Sequence, residues 1–137
     1  MTRQVLVDTG PIVAILLDSD QHHDECVEQL RRIDVPMLTC WPVITEVAWL
    51  LRAYPEAIRR LLSSFRGRPF GLLDLNDEDI APVAGILSKY RSLGLQIADA
   101  ALLHLANREG IGTIFTLDRR DFGVVRLANG KKLRLIP

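Results

Sequence analysis

Four carboxylates in this chain stand where charge is hard to hydrate. Asp8 follows Val5-Leu-Val, and Asp118 follows Thr113-Ile-Phe-Thr-Leu. Glu46 interrupts Val43-Ile-Thr-Glu-Val-Ala-Trp-Leu-Leu51, and Asp99 interrupts Leu95-Gln-Ile-Ala-Asp-Ala-Ala-Leu-Leu103. Acids set into apolar stretches are at least partly desolvated, and an unpaired buried carboxylate costs several kcal/mol or takes up a proton. If the four converge, a hard divalent cation answers their mutual repulsion most simply. Mg²⁺ and Mn²⁺ prefer oxygen ligands, and Mg²⁺ uses one or two carboxylates directly while keeping several waters. Four acids are enough for one or two such ions. Such an ion activates water and offsets charge on phosphate oxygens, which suits phosphodiester hydrolysis.

Each acid also has a plainer explanation. Asp8 before Thr9-Gly-Pro11 can cap a helix, Asp99 can cap the helix around it, Asp118 can close an Asx turn, and Glu46 can sit on a helix surface beside a core stripe. The sequence alone leaves these readings open.

The elements that must position the acids follow from periodicity. Gln4–Asp8 reads as a short buried strand turned by Thr9-Gly-Pro11, with Pro11 at the first position of a helix over Ile12–Leu17. A helix over about His23–Arg32, a strand over Pro36–Cys40 and a helix opened by Pro42 come next. Pro55 opens a further helix that ends near Gly67–Gly71, and Gly71–Leu75 resumes as a strand. Asn76 or Asp79 caps the following helix, with Pro82 favouring the later start. Leu95–Arg108 is helical and stopped by Gly110, Thr113–Leu117 is a strand, and the tail reads as a hairpin of Val124–Leu127 and Lys132–Ile136 around Asn129-Gly130. Strands joined by helical segments imply crossover connections, hence a mainly parallel sheet inside a three-layer α/β/α sandwich. Ligands of such sheets lie outside the carboxyl ends of the strands, where Asp8 and Asp118 stand.

Length and composition fit this plan. The 137 residues suit one compact domain, and 48% hydrophobic with 25% charged residues suits a folded core without staples. Cys26 and Cys40 lack metal or dithiol spacing and read as buried apolar residues. With no long apolar run and no signal-peptide core ahead of Asp8, a cytoplasmic protein is expected. Seventeen basic against seventeen acidic residues disfavour a globally basic nucleic-acid binder. Setting the four acids aside leaves 17 − 13 = +4, so the remainder is mildly basic. Six of the basic residues lie from Arg119 onward, either as a solvated hairpin or as a phosphate-binding rim beside the acids.

Taken together, Val5-Leu-Val-Asp8-Thr-Gly-Pro-Ile-Val-Ala14, Thr45-Glu46-Val47, Ile97-Ala-Asp99-Ala100 and Phe115-Thr-Leu-Asp118-Arg-Arg-Asp-Phe122 resemble the PIN-domain ribonucleases, most closely the short toxins of VapBC type. The match runs over nearly the whole chain. The resemblance implies an acidic pocket for Mg²⁺ or Mn²⁺, with Asp8 and Asp99 as principal metal acids, Glu46 holding or orienting metal and water, and Asp118 as the fourth member. Thr116 resembles the family's hydrogen-bonding hydroxyl residue. Asp121 competes for the fourth role, and Asp118 is preferred because it ends the strand, leaving Asp121 at the rim. The implied activity is endonucleolytic RNA cleavage by the toxin of a toxin–antitoxin pair. A small antitoxin and a homodimer are the implied partners.

The remaining residues with chemistry rank lower. His22-His23 reads as the solvated start of a helix and His104 as a core or interface histidine. Trp41, Trp49 and Tyr54 read first as core packing, with a dimer or partner groove as the alternative. Two other classes stay open: a non-catalytic PIN-like RNA- or protein-binding module, and a structural α/β protein whose acids are caps. A haloacid-dehalogenase-type phosphatase needs a second Asp two residues after the first, where Gly10 stands.

Overall fold

Val5, Leu6 and Val7 are all buried. Successive strand side chains point to opposite faces, so three buried neighbours in a row require a sheet covered on both sides. The computed structural model, which describes residues 4–66 and 69–137, shows this arrangement. Five parallel strands, β1 (Val5–Val7), β2 (Met37–Thr39), β3 (Phe70–Leu72), β4 (Thr113–Phe115) and β5 (Arg134–Ile136), lie in the order β3-β2-β1-β4-β5. From β1 the chain winds outward through β2 to β3, then returns to the other side of β1 as β4. The reversal in strand order therefore falls between β1 and β4, the place where such sheets open a crevice at their carboxyl ends.

The helices are α1 (Thr9–Leu16), α2 (His23–Arg32), α3 (Trp41–Leu50), α4 (Pro55–Ser63), α5 (Ile80–Lys89), α6 (Ile97–Glu109) and α7 (Arg119–Val124). Pro42 and Pro55 sit in the first turns of α3 and α4, where a missing N–H leaves no intrahelical bond unmade. Gly110 ends α6 in the left-handed conformation, φ 67°, that a side chain would resist. α1 packs on α2 and α3, and α6 packs on α3 and α5. The core joins strand residues Leu6, Met37, Ile114 and Phe115 to helical Ile12, Val47, Leu102 and Leu105.

Three expectations change. The first helix begins at Thr9, ahead of Ile12, because the Asp8 side chain caps it; Pro11 therefore sits in the third helical position. Asp118 caps a short helix, α7, whose Phe122 anchors in the core and which takes up Val124, expected as the start of the hairpin. The tail hairpin shrinks to one antiparallel bridge, Arg126 to Lys132, closed by a Leu127 N–H to Lys131 carbonyl bond. The chain then turns to pair with β4 in parallel, where Arg134 and Thr116 donate backbone bonds to Gly112 and Ile136 and satisfy what would be an open sheet edge. The turn expected over Gly67–Gly71 falls partly outside the described residues. Both cysteines are buried and free, and burial pushes each thiol up to about 11. Among the described residues no helix is long and apolar enough to cross a membrane.

Far from the acids, a polar clamp fixes α6. Asp79 accepts from the Asn76 N–H at 2.7 Å and the Arg108 guanidinium at 3.1 Å, and its other oxygen lies 2.7 Å from His104 Nε2. These bonds, the Asn76 N–H foremost, hold its carboxyl down at about 2. His104 is thus a satisfied core histidine.

Leu102, on α6 and fully buried, tests the core. Leu102→Ala is expected to lower unfolding free energy by about 2–5 kcal/mol, read as a lower urea midpoint at unchanged slope.

Candidate active site

β1 ends at Asp8, whose backbone N–H is pinned to the Phe115 carbonyl on β4 at 2.9 Å. The Asp8 side chain is only 6% exposed. One oxygen accepts from the Thr9 N–H and the other from the Thr116 hydroxyl, both at 2.8 Å. Thr116 in turn accepts from the Asp118 N–H at 2.9 Å. A single hydroxyl thus ties the ends of two neighbouring strands together. Thr39 supports the same end from β2 by donating to the Val7 carbonyl at 3.0 Å.

The other acids arrive on helices. Glu46 projects from the middle of α3; Asp99 lies in the first turn of α6, where it accepts from the Gln96 N–H at 2.9 Å. Asp118 caps α7 by accepting from the Asp121 N–H at 3.0 Å. Asp8, Glu46, Asp99, Asp118 and Asp121 all line one open cleft of about 480 Å³ with Thr9, Gly10, Leu50, Gly94, Gln96 and Leu117. No Lys, Arg or His lines it among the described residues. Asp118 and Asp121 therefore share the cleft.

Capping and convergence on one cleft coexist in these acids. Asp8, Asp99 and Asp118 each give one oxygen to an N–H at a helix start and still face the cleft. The positive amino ends of α1, α6 and α7 are thereby gathered around the negative charge.

That support does not cancel desolvation. Burial raises Asp8 from 3.8 to about 6, against the lowering effect of the Thr116 and Thr9 bonds, and the charges of Asp99 and Glu46 push it further up. Asp99 is raised as well, first by burial and then, against the Gln96 bond, by Glu46, Asp118 and Asp121. Asp8 therefore feels Asp99 and Glu46, and Asp99 feels Glu46, Asp118 and Asp121.

These donors fit a hard divalent cation. The set is all oxygen, carries excess negative charge without a balancing side chain, and includes the Thr9 hydroxyl, buried with no partner. Among the described residues no three His, Cys, Asp or Glu side chains stand close enough together to hold one metal ion jointly. An open arrangement agrees with an ion that keeps much of its water and takes few carboxylates directly.

Other candidates lie elsewhere. His23 Nδ1 is 2.6 Å from the Ala14 carbonyl and His22 pairs with Glu25, both away from the cleft. The basic tail divides: Arg119 and Arg120 follow Asp118 directly, whereas Lys131 and Lys132 line a hollow with Asn107, Gly110 and Gly112 at the amino end of β4. Trp41, Trp49 and Tyr54 are exposed, contrary to the core-packing expectation, because α3 buries Val43, Ile44 and Val47 instead. The expectations from sequence include neither the partnerless Thr9 hydroxyl nor the Thr39 bond; Thr9 adjoins the strand-ending Asp8, and nothing beside Thr39 marks it.

Asp8 gives a pH signature. Its folded value of about 6 exceeds the ordinary 3.8, so the ionised group opposes folding above pH 6, by about 3 kcal/mol, and this opposition fades as pH falls toward 4. Asp8→Asn is expected to stabilise the metal-free protein by about 1–3 kcal/mol at pH 7.5 and to lose that advantage below pH 4, measured by urea unfolding across pH.

Residues 5–127 match the model of the PIN domain. The chain is 29% identical over 138 residues to Ribonuclease VapC26 of Mycobacterium tuberculosis, covering 97% of this chain and 100% of that protein. The crystal structure of Mycobacterium tuberculosis VapC20, a sarcin–ricin loop cleaving toxin, superposes with a TM-score of 0.77 at 14% identity over 85% of this chain and 91% of that one. A chain of Rickettsia felis VapBC2, solved bound to a DNA fragment from its promoter, superposes with a TM-score of 0.65 at 15% identity over 97% of each chain. The fold agrees with both structures, and the family match spans nearly all of the sheet and the whole acidic cleft: the chain belongs to the PIN-domain family.

Proposed function

We propose that this protein is a divalent-metal-dependent endoribonuclease that hydrolyses RNA phosphodiester bonds and serves as the toxin of a toxin–antitoxin pair. The observation that carries the chemistry is the cleft itself: five carboxylates and no cation, around a desolvated Asp8, at the reversal in strand order. The full-length similarity to a ribonuclease supports RNA as substrate. The likeness to a loop-cleaving toxin and to a VapBC complex supports the toxin role and a small antitoxin as partner, and a homodimer is the assembly expected with them.

In this reading Asp8 and Asp99 hold Mg²⁺ or Mn²⁺, Glu46 orients metal and water, and Asp118 is the fourth acid with Asp121 beside it. The bound ion supplies an activated water and offsets charge on the phosphodiester. Thr116 acts through Asp8, fixing which oxygen stays engaged and which way the carboxylate faces. Thr9 lines the same space, its hydroxyl buried without a partner. Glu46 and Leu50, one helical turn apart, form the α3 wall along which the substrate lies.

The test is cleavage of a structured RNA with Mg²⁺ or Mn²⁺, with EDTA, and by Asp8→Asn and Asp99→Asn. EDTA and either substitution are expected to reduce the rate at least about a hundredfold, and Thr116→Val, which removes a supporting hydrogen bond, about 10–100-fold. Equal cleavage by the acid variants would contradict the site, and RNA binding without cleavage by the parent protein would favour a non-catalytic module.

A further inference from the structure

α3 carries two adjoining rows. Glu46 and Leu50 line the cleft, while Trp41, Thr45 and Trp49, spaced four apart, form the next row and are exposed. Trp49 stands three residues from Glu46 and is 64% exposed. This large indole is left mostly in water, three residues from a cleft-lining acid. It is also held in a particular state. The Arg52 guanidinium lies over its ring, 4.0 Å from the centroid, and donates from Nη1 to the Trp49 carbonyl at 2.9 Å. Among the described residues no acid pairs with Arg52, so its charge remains available to an incoming anion.

We infer that Trp49, backed by Arg52, is a stacking platform for an unpaired base of the RNA substrate, seating that nucleotide next to the acidic cleft. The inference rests on the ribonuclease reading and deepens it. Every base presents a π-face, so aromatic stacking holds single strands with little sequence preference, and unpaired, splayed bases are where RNA is open to such contact. The guanidinium adds a positive charge for the adjoining phosphate, which the acids of the cleft do not supply. Charge and continuity favour RNA over a protein occupant. Thr45, Glu46 and Arg52 interrupt the apolar surface, and Trp41 lies eight residues away, about 12 Å along the helix axis. Trp49 and Leu50 lead directly into the cleft wall.

Trp41→Phe leaves Trp49 as the sole tryptophan of the chain, so its emission reports on this residue alone. In EDTA, where hydrolysis stops, single-stranded oligoadenylate of about eight nucleotides is expected to quench that emission, and an abasic ribose-phosphate chain of equal length is not. In the otherwise parent protein, Trp49→Ala is expected to weaken oligoadenylate binding about 5- to 100-fold, and Trp49→Phe to recover most of the loss. No quenching, or equal quenching by the abasic chain, overturns the assignment. So does emission that follows protein concentration and ignores oligoadenylate, which would mark Trp49 as a contact between copies. The two readings fail separately: cleavage that needs Asp8 but not Trp49 removes only the platform, whereas base-dependent quenching without any cleavage removes only the enzyme.

Discussion

The structure is organised around one carboxylate that water barely reaches. Asp8 ends the central strand, caps the first helix and receives the Thr116 hydroxyl from the neighbouring strand. Each of those bonds favours its charge, yet burial and the surrounding acids outweigh them. A group held so firmly and left so poorly compensated stores an attraction for positive charge. The fold delivers four more acids to the lining of the same opening.

Positioning is done by ordinary folding devices. Three of the acids are helix caps, so the hydrogen bonds that start α1, α6 and α7 also aim side chains at the cleft. α6 is fixed again near its other end by the Asp79, His104 and Arg108 clamp, which keeps Asp99 from shifting with the helix. Helix capping and the lining of the acidic cleft thus use the same side chains.

Much of this was legible from residue order. Val5-Leu-Val-Asp8 and Thr113-Ile-Phe-Thr-Leu-Asp118 announce buried strands that end in acids, and Pro42, Pro55 and Gly110 mark the starts of α3 and α4 and the end of α6. Thr116 stands where the resemblance placed it. The tail was misread because Asn129-Gly130 is a strong local turn signal, whereas pairing β5 with β4 depends on a distant open edge that no local pattern reveals. α7 was missed because six residues carry too little periodicity, although the Asp118 to Asp121 spacing is that of a cap. Trp41 and Trp49 were assigned inward by hydrophobicity, and only the α3 register shows that Val43, Ile44 and Val47 take the core instead. The Asp79 clamp joins residues about one helix apart in sequence, beyond any spacing rule. The zero net charge likewise concealed a cleft whose charged lining residues, among those described, are all acids, with Lys131 and Lys132 at the far end of the sheet.

The central claim is that desolvated, mutually repelling carboxylates form a seat for a divalent cation. Calorimetric titration of Mn²⁺ into the purified protein at neutral pH tests it most directly. The account predicts saturable binding that Asp8→Asn and Asp99→Asn each weaken strongly while a distant change such as Lys131→Ala does not. Absence of binding at millimolar Mn²⁺, or binding indifferent to both acid substitutions, would contradict it.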